Sequence, residues 1–364
     1  MRRFLLASVV FLIPNLPCQG QQVGESVVVI AATAQIQVGE KVVDKAYRGA
    51  ILVVRKVQGD WLAVSHGTPG WLHRDDAMLL GPAVDFFSGI IRDNPQETGA
   101  YFVRGNIRSE QGEFAKAIAD FNKAIELDPK EGAAFNSRGY AWRNLGEADK
   151  AIADFNQALQ LNAKDAWALN NRGIAWHDKG DFDKAIADYD QVLRLDGKHT
   201  WAYHNRGNAW SAKKDFQRAI ADYDQAIQLD PRDGDVYGNR GLAYQAMGKY
   251  EAALKDFNEA AALEPNRSLA HHHLAWLLAT GPDAKLRDGK KAVASAKRAC
   301  ELTGWKDAVL LNTYAAAQAE AGDFDAAVRW QARSIELPPK ENHKEYRERL
   351  ELYRMGKPYR FKTQ

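Results

Sequence analysis

A mainly α-helical array of stacked two-helix units, preceded by a small all-β domain, is the fold class this sequence predicts. Three observations carry that prediction. Between residues 98 and 341 one pattern of small, aromatic and proline residues returns every 34 residues, with a single interruption. Between residues 24 and 80 the pattern is absent, and short β-branched or aromatic runs are separated by Gly and Pro. The composition, 46% apolar and 26% charged, is that of an ordinary folded chain.

The repeat is clearest in Thr200–Asp233. With Thr200 as position 1, seven units run 98–131, 132–165, 166–199, 200–233, 234–267, 268–307 and 308–341. Position 8 is Gly105, Gly139, Gly173, Gly207 and Gly241, then Ala275 and Ala315; position 20 is Ala117, Ala151, Ala185, Ala219, Ala253, Ala292 and Ala327. Small residues at both places allow two helices to cross closely. Aromatics at position 11 (Trp142, Trp176, Trp210, Tyr244) and position 24 (Phe121, Phe155, Tyr189, Tyr223, Phe257) are expected to fill the space between helices. Leu127, Leu161, Leu195, Leu229 and Leu263 at position 30 should close each unit. Pro129, Pro231, Pro265 and Pro339 then stop the second helix. Arginine holds position 7 in five consecutive units (Arg104, Arg138, Arg172, Arg206, Arg240), and aspartate holds position 23 in the same five (Asp120, Asp154, Asp188, Asp222, Asp256). Charges of opposite sign with one period predict ion pairs between helices; the alternative is that the arginines grip an anionic ligand.

These residues resemble the tetratricopeptide repeat (TPR) family. The resemblance implies an α-solenoid of seven helix pairs, A and B, whose A helices line a concave groove that binds protein or peptide segments. The family's groove positions are 2, 5, 6, 9, 12 and 13. Here they offer Trp167 and Trp201; Asn136, Asn170, His204 and Asn312; Asn171, Asn205 and Asn239; Asn106, Tyr140 and Asn208; and His177, Asp178 and Asn144. Asn136, Tyr140, Asn170, Asn171, Trp201, His204, Asn205, Asn208 and Asn239 are the candidate peptide-binding residues. The three asparagines at position 6 look like the asparagine ladder of O-GlcNAc transferase. An amide both donates and accepts, so a row of them can hold an extended backbone; the plainer alternative is that they only solvate the groove. The basic clamp of chaperone-binding members is missing at positions 5 and 6, which disfavours capture of a terminal acidic peptide.

An array needs covered ends. Residues 82–97 read as one B helix without its A helix, an N-terminal cap joining the array to the β domain. Residues 341–354 read as a charged, solvating C-terminal cap followed by an irregular tail. Thr280–Gly289 lengthens the turn of the sixth unit, a place where an insertion can carry function.

In residues 24–80, runs at 27–30, 41–43, 50–54, 61–64 and 70–72 predict five strands and a small barrel, with Gly39, Gly49, Gly59 and Gly70 at the turns. The stretch YRGAILVVRKVQGDWLAVSHGTPGWLHRDDAMLL is similar to bacterial SH3-like domains, which implies peptide binding, sometimes cell-wall peptide, on aromatic residues. Tyr47, Trp61 and Trp71 are the candidates; Trp61 and Trp71 are expected chiefly in the core of so small a domain.

Met1-Arg2-Arg3, the apolar run Phe4–Ile13 and the break at Pro14–Gly20 have the anatomy of a signal peptide over residues 1–20, cleaved before Gln21. A periplasmic or secreted location is the expectation. Cys18 would carry lipid in a lipoprotein reading, which Pro17 disfavours. Cys300 is expected to be buried and inert. The apolar run is too short to span a membrane, and a net charge of +2 gives no argument for nucleic acid. His271-His272-His273 looks like a metal site, but consecutive helix residues point about 100° apart and cannot share one ion. No catalytic motif, metal site or cofactor is expected. The reading is a non-enzymatic exported scaffold, with a chaperone-like assembly factor or accessory subunit for envelope proteins or enzymes as the alternative.

Overall fold

The computed structural model of the chain describes residues 24–31, 33–38, 41–66, 68–338 and 343–361. The expected leader, Gly39, Pro339 and the first residues of the expected C-terminal helix lie outside them. The chain divides into an N-terminal part, Met1–Leu161, and a C-terminal part, Asn162–Gln364.

In the N-terminal part eight strands precede the first α-helix among the described residues: β1 Ser26–Val29, β2 Thr33–Val38, β3 Lys41–Tyr47, β4 Ile51–Val53, β5 Lys56–Gln58, β6 Trp61–His66, β7 Thr68–His73 and β8 Ala77–Leu79. They form two antiparallel sheets, ordered β4-β1-β8 and β3-β2-β7-β6-β5. Five strands were expected; β2, β5 and β8 are additional. β2 reads Thr-Ala-Gln-Ile-Gln-Val and buries only Ala34 and Ile36, so its signal is alternation and not an apolar run. Val27, Val29, Ile36, Leu52, Leu62 and Leu72 from both sheets share one core. Val28 points the other way, into a cluster with Phe87 and Ile107. Trp61 and Trp71 are not core residues, contrary to expectation. Along β6 and β7 the inward places belong to their neighbours Leu62 and Leu72, and a period of two sends the tryptophans outward.

Helix α1, Leu80–Asp93, starts directly from β8, with Pro82 in its first turn where no intrahelical N–H bond is lost. Pairs follow: α2 Thr98–Glu110 with α3 Phe114–Leu127, and α4 Gly132–Asn144 with α5 Ala148–Leu161. The C-terminal part continues with α6 Ala166–Asp178 and α7 Phe182–Leu195, α8 Thr200–Ala212 and α9 Phe216–Leu229, α10 Gly234–Ala246 and α11 Tyr250–Leu263, α12 Ser268–Thr280 and α13 Gly289–Leu302, and α14 Ala308–Glu320 and α15 Phe324–Glu336. α16, His343–Arg354, closes the order. The fold is thus mainly α, a solenoid of helix pairs after a β region.

The glycine at position 8 is set by the ring at position 24. A Cβ on Gly207 would lie 2.6 Å from Tyr223, and Gly105, Gly139, Gly173 and Gly241 meet Phe121, Phe155, Tyr189 and Phe257 just as closely. Those five rings are fully buried. The position-11 tryptophans are only half-buried; Lys150, Lys184 and Arg218 lie over Trp142, Trp176 and Trp210 at 4.5, 4.2 and 4.6 Å. Leu161, Leu195 and Leu229 at position 30 are exposed, so they end helix B without sealing it.

The position-7 arginines pair with the position-23 aspartates in all five units. Nε and Nη2 of each arginine donate to the two carboxylate oxygens at 2.6–3.0 Å. Nη1 reaches the preceding helix B: Ser88 for Arg104, Asn122 for Arg138, Asp190 for Arg206 and Asp224 for Arg240, at 2.6–2.9 Å. The aspartates are buried. The hydrogen bond to Asp222 raises the Arg206 guanidinium above its ordinary value. Burial works against this at Asp222 and raises its carboxyl; the two bonds of 2.6 and 2.8 Å keep the pair ionised. The arginines are structural and are not free to grip an anion.

The sixth and seventh units lack this pair. Leu274 and Ser295 replace it in one, and Tyr314 and Trp330, with ring centroids 5.5 Å apart, in the other. The long turn of the sixth unit is pinned: Arg287 donates to the carbonyls of Gly281 and Pro282 and to Glu320. Nor is α16 a merely solvating cap. Its Arg349, Leu350 and Tyr353 are buried. The tail after it has no helix but packs, with Phe361 against Tyr250 and Arg360 bonded to Glu320.

One turn residue is out of keeping with its counterparts. Between helices A and B, Gly112, Gly146, Gly180, Gly248 and Gly322 have φ of +72° to +88°, whereas the fourth unit places Lys214 there at +63°. A Cβ in this region costs about 1–2 kcal/mol. Lys214→Gly should therefore raise stability by roughly 0.5–1 kcal/mol, the gain being reduced by glycine's greater freedom when unfolded; chemical denaturation of the full chain measures it.

Candidate functional site

In the C-terminal part, the A helices carry most of the predicted site residues on one face. At three steps, position 6 of one unit bonds to position 5 of the unit before it. Asn205 Nδ2 donates to Asn170 Oδ1 at 2.9 Å. Asn239 Nδ2 lies 2.8 Å from His204 Nε2 and donates to Asn208 Oδ1 at 3.1 Å. Tyr223 donates its hydroxyl to the same Asn208 oxygen at 2.8 Å. Farther along, Thr313 Oγ1 and His272 Nδ1 are 2.9 Å apart, again positions 6 and 5. Burial lowers the pKa of His204 although Asp233 and Asp235 oppose it, so its imidazole is neutral and Nε2 accepts from Asn239.

At the start of the same helices, Trp167 and Trp201 stack with centroids 5.5 Å apart and planes 21° apart, and His199 lies 4.8 Å from Trp201. Trp167 is 63% exposed, an unusual amount for so large an apolar ring. Asn171 lies beside Asn170 on α6. Asn136 and Tyr140 belong to α4, in the other part of the chain, where Tyr140 packs edge-on against Phe114.

At the C-terminal end the face is occupied by the chain itself. Arg349 Nη1 donates to the buried Asn312, and its guanidinium lies 5.1 Å from the Trp276 ring and 4.5 Å from the Tyr359 ring. Asn312 is thus a cap contact and not an open groove residue. Sequence position alone gave no sign of this, because the covering residues come from outside the repeat.

His204, Asn208 and Asn239 border a pocket of about 250 Å³ with Glu264, Arg267 and His273. The last three were not anticipated. The signal available was Gly238, at a position where other units carry Asn or His. The triple histidine divides as geometry requires: His271 contacts Ser295 and the Pro265 carbonyl, His272 contacts Thr313, and His273 stacks on Phe257. No metal-binding group is found among the described residues. Burial pushes the Cys300 thiol up to about 12, as an inert thiol requires.

In the β region, Trp61 and Trp71 line an open cleft of about 270 Å³ with Gln37 and Gln58. The register explains it: Gln37 pairs with Trp71, Trp71 with the small Ala63, and Gln58 with Trp61. Tyr47, though 64% exposed, does not line this cleft.

Models of the tetratricopeptide repeat match residues 99–131, 166–199 and 207–276, and a TPR repeat model matches 139–180. These are tetratricopeptide repeats. A search of curated proteins returned no match. Among solved structures, the chain resembles yeast Tom70 at 18% identity and a TM-score of 0.55, over 76% of this chain and 59% of that one. It resembles the APC/C hetero-tetramer Cut9–Hcn1 at 17% identity and 0.56, over 65% and 46%. MamA matches at 24% identity and 0.42, over 46% of this chain and 92% of that one. The chain therefore spans less than two thirds of the Tom70 and Cut9–Hcn1 chains, and at these identities the likeness is one of fold.

The desolvated imidazoles of His272 and His273 make stability depend on pH. Burial holds His272 down to about 4 and His273 to about 3, the latter helped by its neighbour. The unfolded chain, with imidazoles near 6.5, takes up protons first, so stability is lost as pH falls from about 6.5 toward 4. Denaturation midpoints measured from pH 7 to 5 should drop, and the drop should be shallower in the His272→Gln/His273→Gln variant.

Proposed function

We propose that this protein is an exported, non-enzymatic scaffold that holds an extended protein segment along the A helices of units three to five. A TPR array is a protein-interaction scaffold; the finer reading rests on the amide row. Asn205 and Asn239 commit Nδ2 to a lateral bond, while their Oδ1 atoms accept no bond from the described residues. Fixed acceptors of this kind suit the N–H groups of an extended backbone, a contact that reads conformation more than sequence. The stacked Trp167 and Trp201 supply an apolar anchor at one edge. The β region, similar in sequence to SH3-like domains, adds a second contact through Trp61 and Trp71, with cell-wall peptide as its ligand. Two weak contacts on one chain reinforce each other by effective concentration. No described helix is long and apolar enough to cross a membrane.

Dodecapeptides selected from a random display library on the full chain provide the probe. Asn205→Ala/Asn239→Ala should weaken a selected peptide by about tenfold or more, at about 1 kcal/mol per lost bond, with helical circular dichroism unchanged. Equal affinity would remove the amide row from the proposal. Export is tested separately by fractionating cells that make the native chain. A processed form beginning near Gln21 outside the cytoplasm is expected; full-length protein confined to the cytoplasm would overturn it.

A further inference from the structure

The bond from position 6 back to position 5 is missing at one step of the C-terminal part. His273 holds position 6 of the sixth unit, and position 5 of the fifth is Gly238, which has no side chain to meet it. At the neighbouring steps Asn170, His204 and His272 fill that role. His273 stacks on Phe257 instead, and its ring nitrogens make no hydrogen bond to the described residues. The space left over is the pocket of about 250 Å³. A Cβ on Gly238 would approach nothing closer than Ala260, at 4.0 Å, so the space is open to a side chain.

We infer that this pocket takes a carboxamide side chain, Asn or Gln, from the polypeptide bound along the A helices. The inference rests on the peptide-binding reading above and assigns one position of the ligand. The missing group belongs to a row built from amides and imidazoles, and the surrounding groups ask for the same chemistry. Asn239 presents its Oδ1. Glu264 presents a carboxylate with no ion pair among the described residues. Arg267 has donors beyond the one given to Asp235 at 2.8 Å. His273, held neutral by burial, offers one donor and one acceptor. A carboxamide donates and accepts together and can satisfy both kinds. A lysine ammonium would leave the acceptor-seeking N–H groups of Arg267 and His273 unmet, and a carboxylate would face Glu264. An aliphatic side chain would strand every polar group in the pocket, the situation in which a hydrogen-bonding site discriminates most strongly.

The dodecapeptide selection decides it. Peptides selected on the native chain should carry Asn or Gln at one fixed place, and changing that residue to Leu or Lys should weaken binding about tenfold or more. In Gly238→Asn, which restores the residue type of Asn170 in open space, selection should still yield peptides, with that preference gone. Ring signals of His273 in the histidine-labelled native chain should move when the selected peptide is added, and move less with its Leu counterpart. Selected peptides with no amide preference, a preference for Lys, or a preference that survives Gly238→Asn would overturn the inference while leaving the groove reading intact. Failure to select any peptide on the native chain would sink both.

Discussion

Most of the array depends on the arginine at position 7. Its fork closes on the aspartate of its own helix B, and in the units of Arg104, Arg138, Arg206 and Arg240 its remaining arm reaches the helix B before it. One side chain thus ties three helices at a buried point. Removing one partner of such a pair costs about 3–5 kcal/mol, because the other charge is left desolvated and alone. The bidentate geometry also admits few alternative placements, so it sets how one pair stacks on the next. Where the motif lapses, at Leu274/Ser295 and Tyr314/Trp330, the chain changes character, and α16 and the tail fold onto the last A helices.

The face made by the A helices follows from that stacking. Once neighbouring pairs hold a fixed offset, position 6 of one faces position 5 of the last, and short amides and imidazoles can bond across the seam. The result is a largely uncharged strip. Among the described residues of this part its open step is at Gly238, and its C-terminal end is covered by Arg349 and Tyr359. Units three to five are the stretch to which the proposed function assigns the partner.

Much of this was legible in the residues, for a physical reason. Gly207, Ala219 and Tyr223 recur because two helices crossing closely need a small residue opposite each large ring, a constraint that acts within one unit and leaves a periodic trace. The Arg–Asp ladder was legible for the same reason. The β region was less so. β2 has too few apolar residues to stand out, and alternation overrides size at Trp61 and Trp71: Leu62 and Leu72 take the inward places and send the tryptophans outward.

By itself, the sequence determined the helix pairs, their register and the charge ladder, since each arises from neighbours at a constant separation along the chain. Only the tertiary structure decided which polar residues meet, as Asn205 does Asn170 and Asn239 does His204. It alone showed that Gly238 opens a pocket beside His273 and that the C-terminal segment covers Asn312. These features depend on contacts between units, or with segments outside the repeat, where no fixed spacing records who touches whom.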